Sequence, residues 1–162
     1  MNFPPENFSP FEKLLAGLVE AKVDFAVVGG LAISLNGYVR TTEDVDIIIQ
    51  HTLENVGRLL RFLCQWGEGW ARELSPEDFV AEEGAIRVVE DFPLDIFTRM
   101  RGKVLDDFRS SLRFLETSSA RIPFLGPADL ILLKESSWRD KDKMDVQAMR
   151  EILARERGDK SE

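Results

Sequence analysis

The run Asp44-Val45-Asp46-Ile47-Ile48-Ile49 sets two carboxylates two residues apart at the head of an aliphatic stretch. On a strand, side chains alternate faces, so both carboxylates point one way while Val45, Ile47 and Ile49 point the other. Two like charges held side by side repel, and no apolar neighbour offsets that repulsion. A divalent cation does. Mg2+ is a hard ion that takes carboxylate oxygens together with substrate phosphates, so the pair reads as a metal site facing a phosphorylated ligand. Upstream, Gly29-Gly30 follows the apolar run 25–28 and leaves the backbone without side-chain cover. N–H groups at the start of a following helix then stand open to an anion. The plainer alternative is an exposed strand with surface aspartates, because Asp-x-Asp by itself is a weak pattern.

These residues need elements to hold them. Residues 25–50 predict a buried strand over 25–28, a Gly-Gly turn, a short helix ended by Asn36-Gly37, a loop, and a second strand carrying the two aspartates. Ahead of this stretch, residues 1–8 with Pro4 and Pro5 read as an extended lead-in. Ser9-Pro10-Phe11-Glu12 then combines an N-cap serine, proline at the first helical position and a glutamate closing a capping box. Phe11, Leu14, Leu15, Leu18 and Val19 make the stripe of that helix. After the aspartates, His51-Thr52 leads into a helix with the stripe Val56, Leu59, Leu60, Leu63 and Cys64, stopped by Gly67 and Gly69. Ser75-Pro76-Glu77-Asp78 starts another, short helix.

Residues 85–90 and 93–98 predict two strands joined by a tight turn at 91–93. The second holds Asp95 between Leu94 and Ile96, an acid that is costly to bury alone and that otherwise sits on an edge strand facing water. A short basic loop (99–103), a helix from 104 to about 109 and a strand around 112–116 follow. The closing run 127–155 predicts two helices, with Leu130, Leu133, Met144, Met149, Ile152 and Leu153 supplying apolar contacts around a solvated Asp/Lys-rich turn.

Composition narrows the classes. The 162 residues fit one domain with a sizeable core, and 44% hydrophobic with 31% charged residues is ordinary globular composition. The start has neither a basic segment nor an apolar run of the secretory kind, and no apolar stretch is long enough for a bilayer, so no membrane partner is expected. Cys64 is the single cysteine, which rules out an intramolecular disulfide and makes a reducing cytoplasm the simplest compartment. Its place in a helical stripe reads as core. His51, the one histidine, reads as a surface residue, with a phosphate or metal contact as the alternative. The net charge is −8, and residues 41–98 carry thirteen acids against four bases, so general nucleic-acid binding is not expected.

Gly29-Gly30, thirteen spacer residues that include Arg40-Thr41-Thr42, and Asp44-Val45-Asp46-Ile47 together resemble the signature of the DNA polymerase beta-type nucleotidyltransferase superfamily. The fuller string from Gly29 to Ile47 is similar to the small bacterial members, the minimal nucleotidyltransferases and the AbiEii toxin-like group. The resemblance implies a third metal-ligating carboxylate on a later strand, for which Asp95 is the candidate. It also matches Lys134, Arg139, Lys141, Asp142 and Asp145 to a lysine followed by Arg-x-Lys-Asp and a further acid that lie near the nucleotide. One departure stands out: the superfamily pattern often has a serine at or after the second glycine, whereas Leu31 follows Gly30 and Ser34 is the next hydroxyl.

The expectation is therefore an α/β (α+β) fold: a mixed sheet flanked by helices, with a core over about 9–125 and a C-terminal helical segment over about 126–157 of a single domain. The implied activity is metal-dependent transfer of a nucleoside monophosphate from an NTP to an acceptor hydroxyl with release of pyrophosphate. Asp44, Asp46 and Asp95 would hold Mg2+ or Mn2+. Gly29, Gly30, Arg40, Lys134 and Lys141 would bind the nucleotide, with Arg40 and Lys134 offsetting the charge on the departing pyrophosphate. A tRNA end, a protein hydroxyl and a small molecule stay open as acceptors, and a partner protein or second copy is expected to help form that site. The rival is a nucleotidyltransferase-like fold that binds or regulates without catalysis, for instance in a toxin–antitoxin module; Leu31 favours it.

Overall fold

The computed structural model describes residues 8–161. The lead-in expected over 1–8 lies outside them apart from Phe8, which already belongs to the first helix, α1 (Phe8–Glu20). That start is two residues earlier than a Ser9 cap with Pro10 at the first helical position implies. Phe11, Leu14, Leu15 and Leu18 are buried as the stripe requires. Lys22 ends the turn in the left-handed region at φ 63°, and Val23 N donates to Leu18 O at 3.0 Å, which swings the chain directly into the sheet.

The sheet has six strands in the order β3-β4-β2-β1-β6-β5. Strands β1 (Phe25–Val28) and β2 (Val45–Ile49) are antiparallel neighbours at its centre. Every residue of β1 is buried, and only Asp46 of β2 is not, so both strands are covered on both faces and read as near-continuous aliphatic runs. Between them come α2 (Gly29–Leu35), with Asn36 at its C-cap and Gly37 at φ 112°, and a loop to residue 44. Asp44 sits one residue ahead of β2 rather than within it.

Beyond β2, Thr52 caps α3 (Leu53–Leu63) by accepting from Asn55 N at 3.1 Å. The buried Asn55 also binds Asp24 N, Asp24 O and Gln50 O, tying the entry of β1 to the exit of β2. Cys64, expected in the core, is half-buried at the C-cap, where the helix stripe runs out. Two 3-10 turns follow, Trp70–Glu73 and Pro76–Asp78, the latter with the Ser75–Asp78 capping box. Strands β3 (Ala85–Val89) and β4 (Pro93–Phe97) form an antiparallel hairpin, and β4 runs parallel to β2.

After α4 (Leu105–Phe108) come β5 (Arg113–Glu116) and β6 (Arg121–Phe124). The β6 strand was not expected. Pro123 lacks an N–H and argues against an interior strand. It is accommodated because β6 meets β1 through a single register pair, Val27 with Phe124, followed by the Leu125 N to Val27 O bond at 3.0 Å. The chain closes with α5 (Pro127–Lys134) and α6 (Asp140–Ser161). One apolar cluster runs from Phe11 to Ile152. Met144, expected to pack, is 60% exposed, because α6 buries Asp145, Val146, Ala148, Met149 and Ile152 instead. No helix among the described residues is long and apolar enough to cross a membrane.

Candidate active site

Register assembles the acids. Val28 pairs with Asp46, Asp46 with Asp95, and Asp95 with Arg87, so one row across four strands carries two carboxylates and a guanidinium. Asp44 joins from the loop just before β2. One carboxylate oxygen from each of Asp44, Asp46 and Asp95 lies within 4.8 Å of the others. Three hard oxygen ligands at that spacing match what Mg2+ or Mn2+ takes from protein. Asp95 is buried, not an edge acid facing water.

The glycines are shaped by the side chains that press on them. Gly29 has φ +67°, and a Cβ there would lie 2.0 Å from Asp46 Oδ2. Any side chain would push the carboxylate out of the row. A Cβ at Gly30 would stand 3.2 Å from Arg40 Nη2 and 3.5 Å from Thr42 Oγ1. Leu31 is fully buried, so it lies in the core and does not intrude on this surface. Beside the glycines opens a cavity of about 350 Å³ whose walls include Gly30, Arg40, Thr42, Asp44, Asp46 and Lys141.

Charge at the acid end is only partly balanced. Arg87 donates from Nε to Asp95 Oδ1 and from Nη2 to Asp95 Oδ2, both at 2.9 Å, and from Nη2 to Asp44 Oδ2 at 3.1 Å. Its side chain is 53% exposed, so solvent screens the link. Among the described residues no cation is in hydrogen-bond contact with Asp46. Burial first, then the charges of Asp95 and Asp44, push its carboxyl up to about 7, against a smaller downward pull from Lys134.

Lys134 and Arg40 are brought near the acids but are themselves held. Asp145, 1% exposed, accepts from Lys134 Nζ at 2.6 Å and from Arg40 Nη1 at 2.5 Å through the same Oδ2. Asp142 accepts from Lys134 at 3.2 Å and from Ser137 Oγ at 2.7 Å. Lys141 and Arg139 are exposed, Lys141 on the cavity wall. His51 is away from this row, past the far end of β2, with Nε2 2.8 Å from Phe79 O.

Two residues escaped the sequence reading. Arg87 was legible in principle: a turn centred on residue 91 pairs 87 with 95, so the hairpin register alone puts it across from Asp95. Thr42 enters only as part of the Arg40-Thr41-Thr42 string and without a role, because its relation to Gly30 depends on how the loop returns to β2.

Comparison with solved structures places this architecture among nucleotidyltransferase folds. The lincomycin-bound lincosamide antibiotic adenylyltransferase LnuA superposes with a TM-score of 0.61 at 13% identity, covering 93% of this chain and 99% of that one. An antigenic nucleotidyltransferase-like protein from Paracoccidioides brasiliensis gives 0.56 at 14% identity, over 89% of this chain and 75% of the other. The antibiotic-resistance factor ANT(2'')-Ia gives 0.51 at 15% identity, over 93% and 91%. At these identities the likeness is one of fold. No curated protein matches the sequence. The model of the family "Nucleotidyltransferase of unknown function (DUF6036)" matches residues 11–155, and the chain belongs to that family.

Proposed function

We propose that this protein transfers a nucleoside monophosphate from an NTP to an acceptor hydroxyl in a reaction that depends on Mg2+ or Mn2+. The observation that carries the reading is the convergence of the Asp44, Asp46 and Asp95 oxygens within 4.8 Å, with Asp44 and Asp46 on the wall of a cavity that Gly30 also lines. Asp44, Asp46 and Asp95 would hold the metal, which when bound supplies Lewis-acid stabilisation of charge on the phosphoryl oxygens. In the transfer the acceptor oxygen bonds to the α-phosphorus, the bond from that phosphorus to the bridging oxygen breaks, and pyrophosphate leaves. Asp95, held in the row by strand register, is assigned to take the acceptor proton. Gly29 and Gly30 let the polyphosphate approach the backbone, and Arg40, Lys134 and Lys141 offset its charge.

The acceptor belongs to the same proposal. LnuA and ANT(2'')-Ia are antibiotic-modifying or antibiotic-resistance proteins, which favours a small hydroxyl-bearing molecule over a macromolecule. The resemblance to the AbiEii toxin-like group, carried by Lys134, Arg139, Lys141, Asp142 and Asp145, is a separate reading, and a tRNA end or a protein hydroxyl stays open as the acceptor. Labelled NTPs with Mg2+ or Mn2+, offered to fractions of small molecules, RNA and protein, decide among these. Pyrophosphate release together with label in one fraction is expected from the native chain and not from Asp46→Asn. Absence of both pyrophosphate release and any nucleotide-dependent rise in melting temperature would overturn the reading.

A further inference from the structure

Among the described residues, four buried side-chain atoms have no hydrogen-bond partner: Ser34 Oγ, Asn36 Oδ1, Arg99 Nε and Thr42 Oγ1. Of these residues, Thr42 alone lines the cavity that holds Asp44 and Asp46. A buried hydroxyl left unpaired costs stability, so its retention at a cavity wall asks for a ligand. We propose that Thr42 supplies the hydroxyl that grips the polyphosphate of the NTP, replacing the serine that the Gly29-Gly30-Leu31 sequence lacks. The assignment rests on the nucleotidyltransferase reading above.

Geometry gives the reason. A side chain at Gly30 would place its Cβ 3.5 Å from Thr42 Oγ1, so a serine hydroxyl at 30 and the threonine hydroxyl at 42 address the same small volume. A side chain at 30 would also press on Arg40, whose Nη2 stands 3.2 Å from that Cβ position and would have to give way by a few tenths of an ångström. Asp145 takes Arg40 Nη1, which fixes the guanidinium with Nη2 turned towards Gly30. Hydroxyl, guanidinium and bare backbone therefore meet beside Gly30, and Lys141, Asp44 and Asp46 line the same cavity. A χ1 step of about 120° carries the Thr42 hydroxyl from its buried position to the next staggered one, with the methyl moving on to the third, and a ligand would draw the donor to the cavity in this way. Anionic phosphoryl oxygens suit such a donor set, since hydrogen bonds to charged groups are the strong ones.

The test uses the full chain, inorganic tripolyphosphate with Mg2+ as a base-independent probe, and calorimetric titration beside a ligand-free melting curve. Thr42→Val removes the hydroxyl and keeps the shape. It is expected to bind the probe about tenfold more weakly, the usual loss for a hydrogen bond to a charged group. Its ligand-free melting temperature should equal or exceed that of the native chain. Thr42→Ser should bind within about twofold of native, since it keeps the donor. Native-like binding by Thr42→Val, or a lowered melting temperature or failure to fold, overturns the assignment, because the hydroxyl is then idle or structural. A native chain that binds neither tripolyphosphate nor any of the four NTPs brings down the nucleotidyltransferase reading and this assignment with it. Binding by the native chain that Thr42→Val leaves intact removes Thr42 alone.

Discussion

The acids on the sheet and the acids on α6 meet their cations in opposite ways. Asp44 and Asp95 share one guanidinium from a half-exposed arginine, while Asp46 is pushed up to about 7 by burial and its two acid neighbours. On the helical side, Asp145 alone gathers Lys134 and Arg40, while Asp142 takes Lys134 again and Ser137. The sheet cluster carries surplus negative charge that a further cation would relieve. The helical network is closed on itself, and its work is to fix the angle of Arg40 and Lys134 beside the cavity. The two clusters differ in what each lacks: the first lacks a cation, the second nothing.

The largest effect should come from opening the closed network. Asp145→Ala leaves Arg40 and Lys134, whose side chains are 12% and 17% exposed, without their shared partner. Breaking a buried ion pair from one side costs about 3–5 kcal/mol, or a fall of about 10 °C in melting temperature at this size. Scanning calorimetry reads it directly. A variant that melts with the native chain would mean the helical acids are no more structural than the sheet acids, and the contrast would collapse.

Opening the sheet cluster should do the reverse. Asp46→Asn removes one of three crowded charges, so the metal-free fold should hold or gain a few degrees. Metal-dependent transfer should fall by at least about a hundredfold, the scale for losing one transition-state electrostatic contact. The rise in melting temperature with Mn2+ and NTP, present in the native chain by mass action, should vanish. A metal-free variant less stable than native would show that Asp46 is structural.

What could be read beforehand follows the same divide. The stretch 25–50 was legible because β1 and β2 are buried on both faces, which leaves the two glycines and two aspartates as its conspicuous breaks. Asp95 was legible for a similar reason, as a lone acid among apolar neighbours. Arg87 was not, since its partner lies across a hairpin and appears only once the register is counted from the turn. Thr42 depends on loop geometry that carries no period at all. The strand β6 was hidden by Pro123, a local signal outweighed by the tertiary pairing of Phe124 with Val27. Asp145 was matched by resemblance alone. Nothing in the helix pattern says that a carboxylate there is buried while Met144 beside it is 60% exposed.

The two clusters should also answer pH with opposite signs in the metal-free protein. Asp46 is raised from 3.8 to about 7, so the folded state binds more protons than the unfolded chain in between. Its contribution is complete below 3.8 and is lost as pH rises through about 7. At Asp142, burial works upward but is outweighed by the Ser137 hydrogen bond and by Lys134, and the carboxyl is held below its ordinary value. Its contribution is present above the unfolded value of 3.8 and is lost as pH falls through the lowered folded value. Melting curves in chelator from pH 4 to 8 should show Asp46→Asn gaining on the native chain as pH rises. Asp142→Asn should show its full deficit throughout that range, shrinking only in more acid buffer. Parallel curves for the native chain and Asp46→Asn would mean that Asp46 does not titrate differently in the folded state.

The smallest effect, and the finest cut, concerns the single cation the sheet cluster already has. Arg87 binds Asp95 through two nitrogens and reaches Asp44 with one of them, so it occupies carboxylate oxygens that a metal would claim. If it serves as a stand-in counter-ion, removing it frees ligands and deepens the negative potential. If it serves to orient Asp95, removing it lets the third ligand swing away. These alternatives predict opposite signs. Asp95 is held between Asp46 and Arg87 by strand register and is itself buried, so its orientation does not depend on the arginine alone. We therefore expect Arg87→Met, which keeps the apolar stem, to bind Mn2+ about two- to fivefold more tightly in dilute buffer. The gain should shrink towards nothing near 1 M salt, where an exposed charge is screened within a few ångströms. The metal-free variant should melt slightly lower, since three carboxylates then face one another without a partner. Weaker Mn2+ binding at low salt would instead make Arg87 a positioning residue, and would mean that the sheet cluster, like the helical one, is held in shape by its own cation.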